Sequence, residues 1–299
     1  MDIQRRTWRR YGVMSSNQNH HYLPESYQRG WAIEKIIVVF QWRHKKLDVR
    51  CKSTKATGSR PGMYYIPMAP LEKRNFMEDV FWKKIDQDGA INLARLRTND
   101  PAAASKIDRD ALATFVMSLE FRNPRKIAGF QARAKAHVLN GCLREDYTKY
   151  RCPREPATFD EFKRALDLPG LTEMAAEMLR TAVTLPTLRE QLLGMTWQVV
   201  ELTNSMPVLT SDVPLIRHKG LRDDDGMLIL PLSATEFFVA YNQGKIDMKA
   251  KINSSIQTGK FVEEMNRYVI QQKIDFVYAR DDSQKDFVAR NWVANPELV

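Results

Sequence analysis

Two adjacent histidines, His20 and His21, stand just ahead of a proline in the stretch HHYLP. Histidine changes its charge near neutral pH, so one that is held in place could act as a general base or a metal ligand. Pro24 would hold this approach rigid, because its ring restricts its own backbone and keeps Leu23 extended. The alternative is an ordinary histidine whose ring is hydrogen-bonded to the backbone.

Two acids, Glu78 and Asp86, occur in the stretch NFMEDVFWKKID. On a helix they lie about two turns apart with Trp82 on the same ridge between them, so they could flank one groove. A carboxylate there could orient a histidine or hold a divalent metal such as Mg²⁺ or Mn²⁺. Charged flanks of an amphipathic helix are the alternative interpretation.

The remaining polar candidates lie at the ends of predicted elements. Arg122, in LEFRNP, is predicted at a helix C-terminus, where its charge complements the helix dipole. Ser211 and Asp212, in LTSDVPL, are predicted at a strand end, where binding sites often form. Asp212 could equally close a local Asx-turn.

The chain carries a formal net charge of +10, with 46 Lys and Arg against 36 Asp and Glu. Such an excess of cations attracts polyanions. The N-terminal basic stretch also contains Trp8 and Tyr11, which suits phosphate contact and base stacking, although a solvated tail has the same composition. The predicted nucleic-acid-binding residues are Arg5, Arg6, Arg9 and Arg10 in this stretch and Arg43, Lys45 and Lys46 in a second one.

These polar residues, gathered in one cleft, would suit acid–base hydrolysis of a phosphodiester. His21 would be base or acid, Arg122 would hold the phosphate, and a carboxylate would orient the imidazole or hold a metal. The sequence therefore predicts a nuclease that acts on RNA more than on DNA. Two alternatives stay open: a non-catalytic nucleic-acid-binding or regulatory module, and a hydrolase of a small phosphorylated molecule. The predicted catalytic set is His21, Glu78, Asp86, Arg122, Ser211 and Asp212.

Several common signatures are absent from the sequence. It has no phosphate-binding or dinucleotide-binding glycine loop, no HExxH or GxSxG motif and no Cys/His spacing for zinc. The stretch RDDDG is not a calcium loop, because Ala234 stands where the last glutamate would be needed. Cys51, Cys142 and Cys152 form no CxxC pair, which indicates a reducing, cytoplasmic location. No apolar run is long enough to span a membrane.

Strands are expected at both ends of the chain, around a helical middle. Residues 36–42 and 47–51 are rich in β-branched residues and flank a polar turn, which predicts a hairpin. Residues 71–195 show helical periodicity, including a capping box formed by Thr158 and Glu161. The later strands are predicted over 197–203, 206–210, 227–232, 236–241 and 275–279, with a helix over 261–272.

The predicted fold class is therefore α+β. The N-terminal hairpin and the C-terminal strands would form a mixed, mostly antiparallel sheet, with a helical central segment. We expect a basic N-terminal tail over residues 1–16 and a single domain over 17–299, with its helical insert at about 71–195. Two domains that meet near residues 151–156 are the alternative.

The motifs together resemble the bacterial domain-of-unknown-function 4238 family. NHHYLPESYQRGW, NFMEDVFWKKID, FVMSLEFRNP, PVLTSDVPL, LPLSATEFFVAYN and MNRYVIQQKIDFVYA follow in that family's order from Asn19 to about Arg280. The resemblance is most specific at the His-x-x-Pro and Thr-Ser-Asp-x-Pro blocks. It implies this layout and no particular reaction. The residues that it places at motif positions are His21, Pro24, Arg122, Ser211, Asp212 and Pro214, with Glu78 or Asp86.

Overall fold

The computed structural model of this protein describes most of the chain after the N-terminal basic stretch. Arg5, Arg6, Arg9 and Arg10 lie outside the described residues. No helix within the described part is both long and apolar enough to cross a lipid bilayer. The described residues are 19–67, 69–98, 100–141, 144–165, 170–203, 206–244, 247–257 and 259–293.

The strands fall into an N-terminal and a C-terminal group, as predicted. The N-terminal strands are β1 (Asn19–His21), β2 (Ile36–Arg43), β3 (Lys46–Ser53) and β4 (Ser59–Pro61). The C-terminal strands are β5 (Thr196–Glu201), β6 (Thr210–Ser211), β7 (Ile216–His218), β8 (Met227–Pro231), β9 (Glu236–Tyr241) and β10 (Val277–Ala279).

The middle of the chain is helical. A π-helical turn, Met77–Trp82, leads directly into α2, and a 3₁₀ turn, Thr54–Ala56, follows β3. The helices up to β5 are α1 (Glu25–Gln28), α2 (Lys83–Leu96), α3 (Pro101–Ala104), α4 (Arg109–Phe121), α5 (Pro124–Gly141), α6 (Arg144–Tyr150), α7 (Phe159–Ala165), α8 (Gly170–Thr184) and α9 (Pro186–Gly194). The later helices are α10 (Met248–Gln257), α11 (Lys260–Gln272) and α12 (Lys285–Asn291).

The predicted α+β class is confirmed, and the N-terminal hairpin does join C-terminal strands. One antiparallel sheet has the order β3-β2-β10-β6, so the hairpin pairs with a strand more than 220 residues later. A second antiparallel sheet has the order β5-β9-β8-β7, and β1 pairs with β4 apart from both. The strands predicted as one sheet therefore divide into separate sheets. The single-domain boundaries remain a prediction.

Local sequence explains the elements that were predicted best. His44 and Lys45 connect β2 to β3 with φ of 49° and 63°, the two left-handed residues that a tight hairpin turn with matched twist needs. Thr158 and Glu161 form the predicted capping box, because each side chain accepts a hydrogen bond from the other residue's backbone N–H, at 3.2 and 3.1 Å.

Helix packing brings the central charged residues together. Gly89 of α2 faces Phe115 of α4 so closely that an added Cβ would lie 2.0 Å from the ring. Glycine therefore permits α2 and α4 to approach, since a larger side chain would separate them. The approach places Asp86, three residues before Gly89, beside Arg122, which follows the last turn of α4.

Candidate active site

A cavity of about 490 Å³ lies between β1, α1 and the π-helical turn. His21, Glu78 and Asp86 all line it, so the structure brings together three of the six predicted catalytic residues. We call it the His21 cavity. Its charged lining residues are Glu25, Arg29, Glu78, Asp79, Lys83 and Asp86.

His21 and Glu78 contact each other in this cavity. Glu78 Oε1 accepts a hydrogen bond from the His21 backbone N–H at 3.0 Å and lies 3.9 Å from the imidazole Nδ1. His21 Nε2 and Glu78 Oε2 are buried, and neither has a hydrogen-bond partner within the described part of the chain. Both atoms belong to the two side chains that approach each other here, so each could still bond to a ligand or to water.

Burial shifts the pKa values of this pair in opposite directions. The pKa of Glu78 rises to about 7, because desolvation outweighs the His21 N–H and the Arg122 charge. Desolvation also lowers the pKa of His21, against the opposing charge of Glu25 and a hydrogen bond to the Lys55 backbone. Near neutral pH the proton is therefore favoured on the carboxyl and the imidazole is neutral.

The π-helical turn explains how Glu78 reaches the cavity. Such turns add a residue to the helical repeat and are frequent at functional sites. Here the turn places Glu78 and Trp82 on the cavity wall and continues into α2, which carries Asp86. The sequence predicted one regular helix over this stretch and did not predict the π-turn.

Arg122 stands behind the cavity and does not line it. Its side chain is fully buried, and its guanidinium pairs with both carboxylate oxygens of Asp86 at 2.7 and 3.2 Å. Its Nε donates to the carbonyl of Tyr22 at 2.9 Å, and the group lies 5.2 Å from the centre of the Trp82 ring. Arg122 therefore positions Asp86 and the chain next to His21, and its predicted direct contact with phosphate does not fit this geometry.

Ser211 and Asp212 serve a different part of the fold. The carboxylate of Asp212 accepts three backbone N–H groups, from Ile274, Asp275 and Phe276, at 2.6 to 3.0 Å. Ser211 Oγ bonds the backbone of Val213 instead. Neither residue is among those that line the His21 cavity in the described structure. Burial raises the pKa of Asp212 to about 6, against those three donors.

His20 has the backbone role that was the alternative for the histidine pair. It is fully buried, its Nδ1 accepts the Tyr64 backbone N–H at 2.9 Å, and its ring stacks on the Tyr64 ring. The alternation of side chains along β1 separates the two histidines, because neighbouring residues of a strand face opposite sides. His20 thus enters the core and His21 the cavity.

Four charged cavity residues were not selected from the sequence. Glu25 and Arg29 belong to ESYQR directly after the His-x-x-Pro block, Asp79 follows Glu78, and Lys83 follows Trp82. The i to i+4 spacing of Glu25 and Arg29 on the turn after Pro24 was the available signal.

The basic residues predicted to bind nucleic acid are exposed where they are described. Arg43, Lys45 and Lys46 lie at the tip of the β2–β3 hairpin, and each is exposed. Among the described residues, no group of three or more His, Cys, Asp or Glu is arranged to hold a metal ion.

A second cavity, of about 550 Å³, lies between β5 and the start of α4. Arg109 stacks on Trp197 there, 3.9 Å from the ring centre, and donates to the Leu193 carbonyl at 3.1 Å. These contacts connect the start of α4 to both β5 and α9. The His21 cavity is the better candidate site, because it brings a histidine within 3.9 Å of a carboxyl whose pKa is raised to about 7.

The fold and the cavity define an α+β protein with a half-buried histidine–carboxyl pair. The family model described as Protein of unknown function (DUF4238) matches residues 19–283. The chain therefore belongs to this family, and the resemblance of its motifs is confirmed. No curated protein and no solved structure matches the chain.

Proposed function

We propose that this protein is a nuclease that cleaves RNA by transesterification, with general acid–base catalysis in the His21 cavity. The observation that carries the proposal is the half-buried contact of His21 with Glu78 at 3.9 Å, in which desolvation raises the pKa of Glu78 to about 7 and lowers the pKa of His21. Such a pair can remove one proton and supply another in the same step.

RNA requires fewer catalytic groups than DNA for cleavage in such a site. Its 2′-hydroxyl is an internal nucleophile, which DNA lacks. Neutral His21 would take the proton of the 2′-hydroxyl as its oxygen forms a bond to phosphorus. Protonated Glu78 would give its proton to the 5′-oxygen as the phosphorus–oxygen bond to that group breaks. The products would be a 2′,3′-cyclic phosphate and a 5′-hydroxyl.

The charges around the cavity allow a phosphate to enter. The Arg122 guanidinium neutralises Asp86, and Glu78 shares its proton near neutral pH. The remaining charged lining residues are two acids, Glu25 and Asp79, and two cations, Arg29 and Lys83. We assign the stabilisation of the phosphorane oxygens to these cations, since charge that develops in a transition state is stabilised by fixed donors.

Cleavage of a ribodinucleotide tests this proposal. His21→Gln and Glu78→Gln should each reduce the rate by about 10² to 10⁴, the usual contribution of a general acid or base. His218→Gln and Glu72→Gln, both at exposed positions, are matched controls and should not change it. The 2′-deoxy dinucleotide should remain intact, and the cyclic product identifies the route. A rate that is equal in His21→Gln and the parent protein would refute the assignment.

A non-catalytic nucleic-acid-binding module is the second candidate. The exposed cations Arg43, Lys45 and Lys46 support it, because they could bind phosphates without any contribution from His21. Retention of single-stranded RNA with no cyclic product from any ribodinucleotide would favour this function. We also propose a cytoplasmic location, which the exposed, unpaired thiols of Cys51 and Cys152 support.

A further inference from the structure

Strand β3 forms an edge of its sheet. It pairs with β2 from Ile36↔Ser53 to Arg43↔Lys46, and its other side has no strand partner in the described part of the chain. The outward N–H groups of such an edge can donate to phosphate oxygens.

The strand register places four cations on one face of this hairpin. Arg43 is opposite Lys46. Arg50 and Lys52 lie four and six positions after Lys46, so their side chains are on the same side of the strand. From Lys46 to Lys52 the strand spans about 20 Å, so the cations form an extended row.

The row keeps a net positive charge. Asp48 lies within it and pairs with Arg50 at 2.7 Å, which leaves three of the four cations unneutralised by this acid. The pKa of Lys52 is lowered by burial and then by the charges of Arg43 and Arg50. Like charges thus crowd this face, and a bound anion would relieve their repulsion.

The row leads towards the candidate active site. After Ser53 the chain turns through Thr54–Ala56 and reaches Gly58, whose carbonyl accepts the backbone N–H of Tyr22, the residue after His21, at 2.9 Å. Strand β4 follows and pairs with β1, with Ser59 opposite His21. The chain therefore connects the basic face directly to one wall of the His21 cavity.

We propose that the edge formed by Arg43, Lys46, Arg50 and Lys52 binds the backbone of single-stranded RNA and directs the strand to His21. The choice of RNA rests on the proposed function. A row of cations along an extended edge suits a polyanion of regular spacing, and binding of this kind follows the backbone without reading bases.

Binding and cleavage are measured with different probes. The binding probe is a labelled single strand of about 12 nucleotides, with 2′-O-methyl groups that block transesterification. The variant Arg43→Gln/Lys46→Gln/Arg50→Gln should bind about tenfold more weakly at low salt. The slope of log affinity against log salt concentration should be smaller in magnitude by about 2, because each of the three lost phosphate contacts contributes about 0.7.

The matched control removes three exposed cations elsewhere, as Lys149→Gln/Arg180→Gln/Arg267→Gln. Both variants have the same net charge, so equal weakening in the two would overturn the inference. No binding by the parent protein would also overturn it. Ribodinucleotide cleavage should be the same in both variants, because a dinucleotide does not reach along β3. If the parent binds through this face and cleaves no ribodinucleotide, the binding path stands and the proposed function fails.

Discussion

Arg122 and Asp86 form a two-point ion pair at the back of the His21 cavity, at 2.7 and 3.2 Å. The arginine is fully buried, and 27% of the aspartate side chain is exposed. The pair links α4 to α2, and a further Arg122 bond to the Tyr22 carbonyl extends the link to the chain beside His21. One buried cation thus holds three segments of the candidate site in place.

Asp86→Asn should destabilise the protein by about 3 kcal/mol, because it leaves a buried guanidinium without its countercharge. Urea unfolding would measure this change. Asp88→Asn is the matched control on the same helix, since Asp88 pairs with Lys84 at the surface. That substitution should cost no more than about 0.5 kcal/mol. Equal effects of the two substitutions would contradict a structural role for the buried pair.

The adjacent histidines should respond differently to substitution. His20→Phe keeps the stacked ring but removes the acceptor of the Tyr64 N–H, which should cost about 1 to 3 kcal/mol. His21→Gln should change stability by no more than about 0.5 kcal/mol, since the bond to Glu78 comes from the backbone. Thermal unfolding of both variants checks this. A larger loss for His21→Gln would indicate that His21 supports the fold.

Glu78 should make stability depend on pH. Its pKa is about 7 in the folded protein against an ordinary 4.5, so the folded state binds the proton more tightly. Its contribution to stability is therefore fully present below pH 4.5 and is lost as the pH rises through 7. As the pH rises from 4.5 to above 7, the protein with Glu78 should lose up to about 3 kcal/mol of unfolding free energy, and the Glu78→Gln variant should not lose it.

The measurement compares urea unfolding at several pH values in a His21→Gln background. That background removes the opposite effect of His21, whose lowered pKa makes stability rise with pH. Glu72→Gln, at an exposed position, is the control. Parallel pH profiles for Glu78→Gln and its parent would contradict the raised pKa.

Asp212→Asn should be strongly destabilising without affecting the His21 cavity. An amide has one acceptor oxygen, and its NH₂ group would face N–H donors of residues 274–276. We expect a loss of about 3 kcal/mol or more in urea unfolding, since the lost bonds are charge-assisted and buried. Asp282→Asn, at an exposed position, serves as the control. Unchanged stability of Asp212→Asn would contradict the structural role.

Local patterns were sufficient for most elements. The β2–β3 hairpin, the helical middle and the Thr158–Glu161 capping box follow from turn residues, apolar periodicity and side-chain caps, which act over a few residues. Strand β7, with three residues, was missed because so short a strand is stabilised by its partner β8 and has little pattern of its own.

The candidate site was predicted only in part. Residue types identified His21, Glu78 and Asp86, which share one cavity. The same reasoning selected Ser211 and Asp212, because a strand-end hydroxyl and carboxylate have the same sequence pattern whether they bind a substrate or backbone N–H groups. It also assigned Arg122 to phosphate, since the sequence does not show whether an arginine reaches a cavity or a buried acid.

The sequence by itself determined the class of fold, the family and the residue types available for acid–base chemistry. These properties depend on patterns of residues close together in the sequence, so the sequence alone is sufficient to predict them. Only the tertiary structure decided which histidine enters the cavity, which acid meets it and which residues lie behind them. Those outcomes depend on contacts between residues 36 or more positions apart, such as Asp86 with Arg122 and His21 with Glu78. They also depend on desolvation, which moves the pKa of Glu78 to about 7 and exists only once the chain has folded around it.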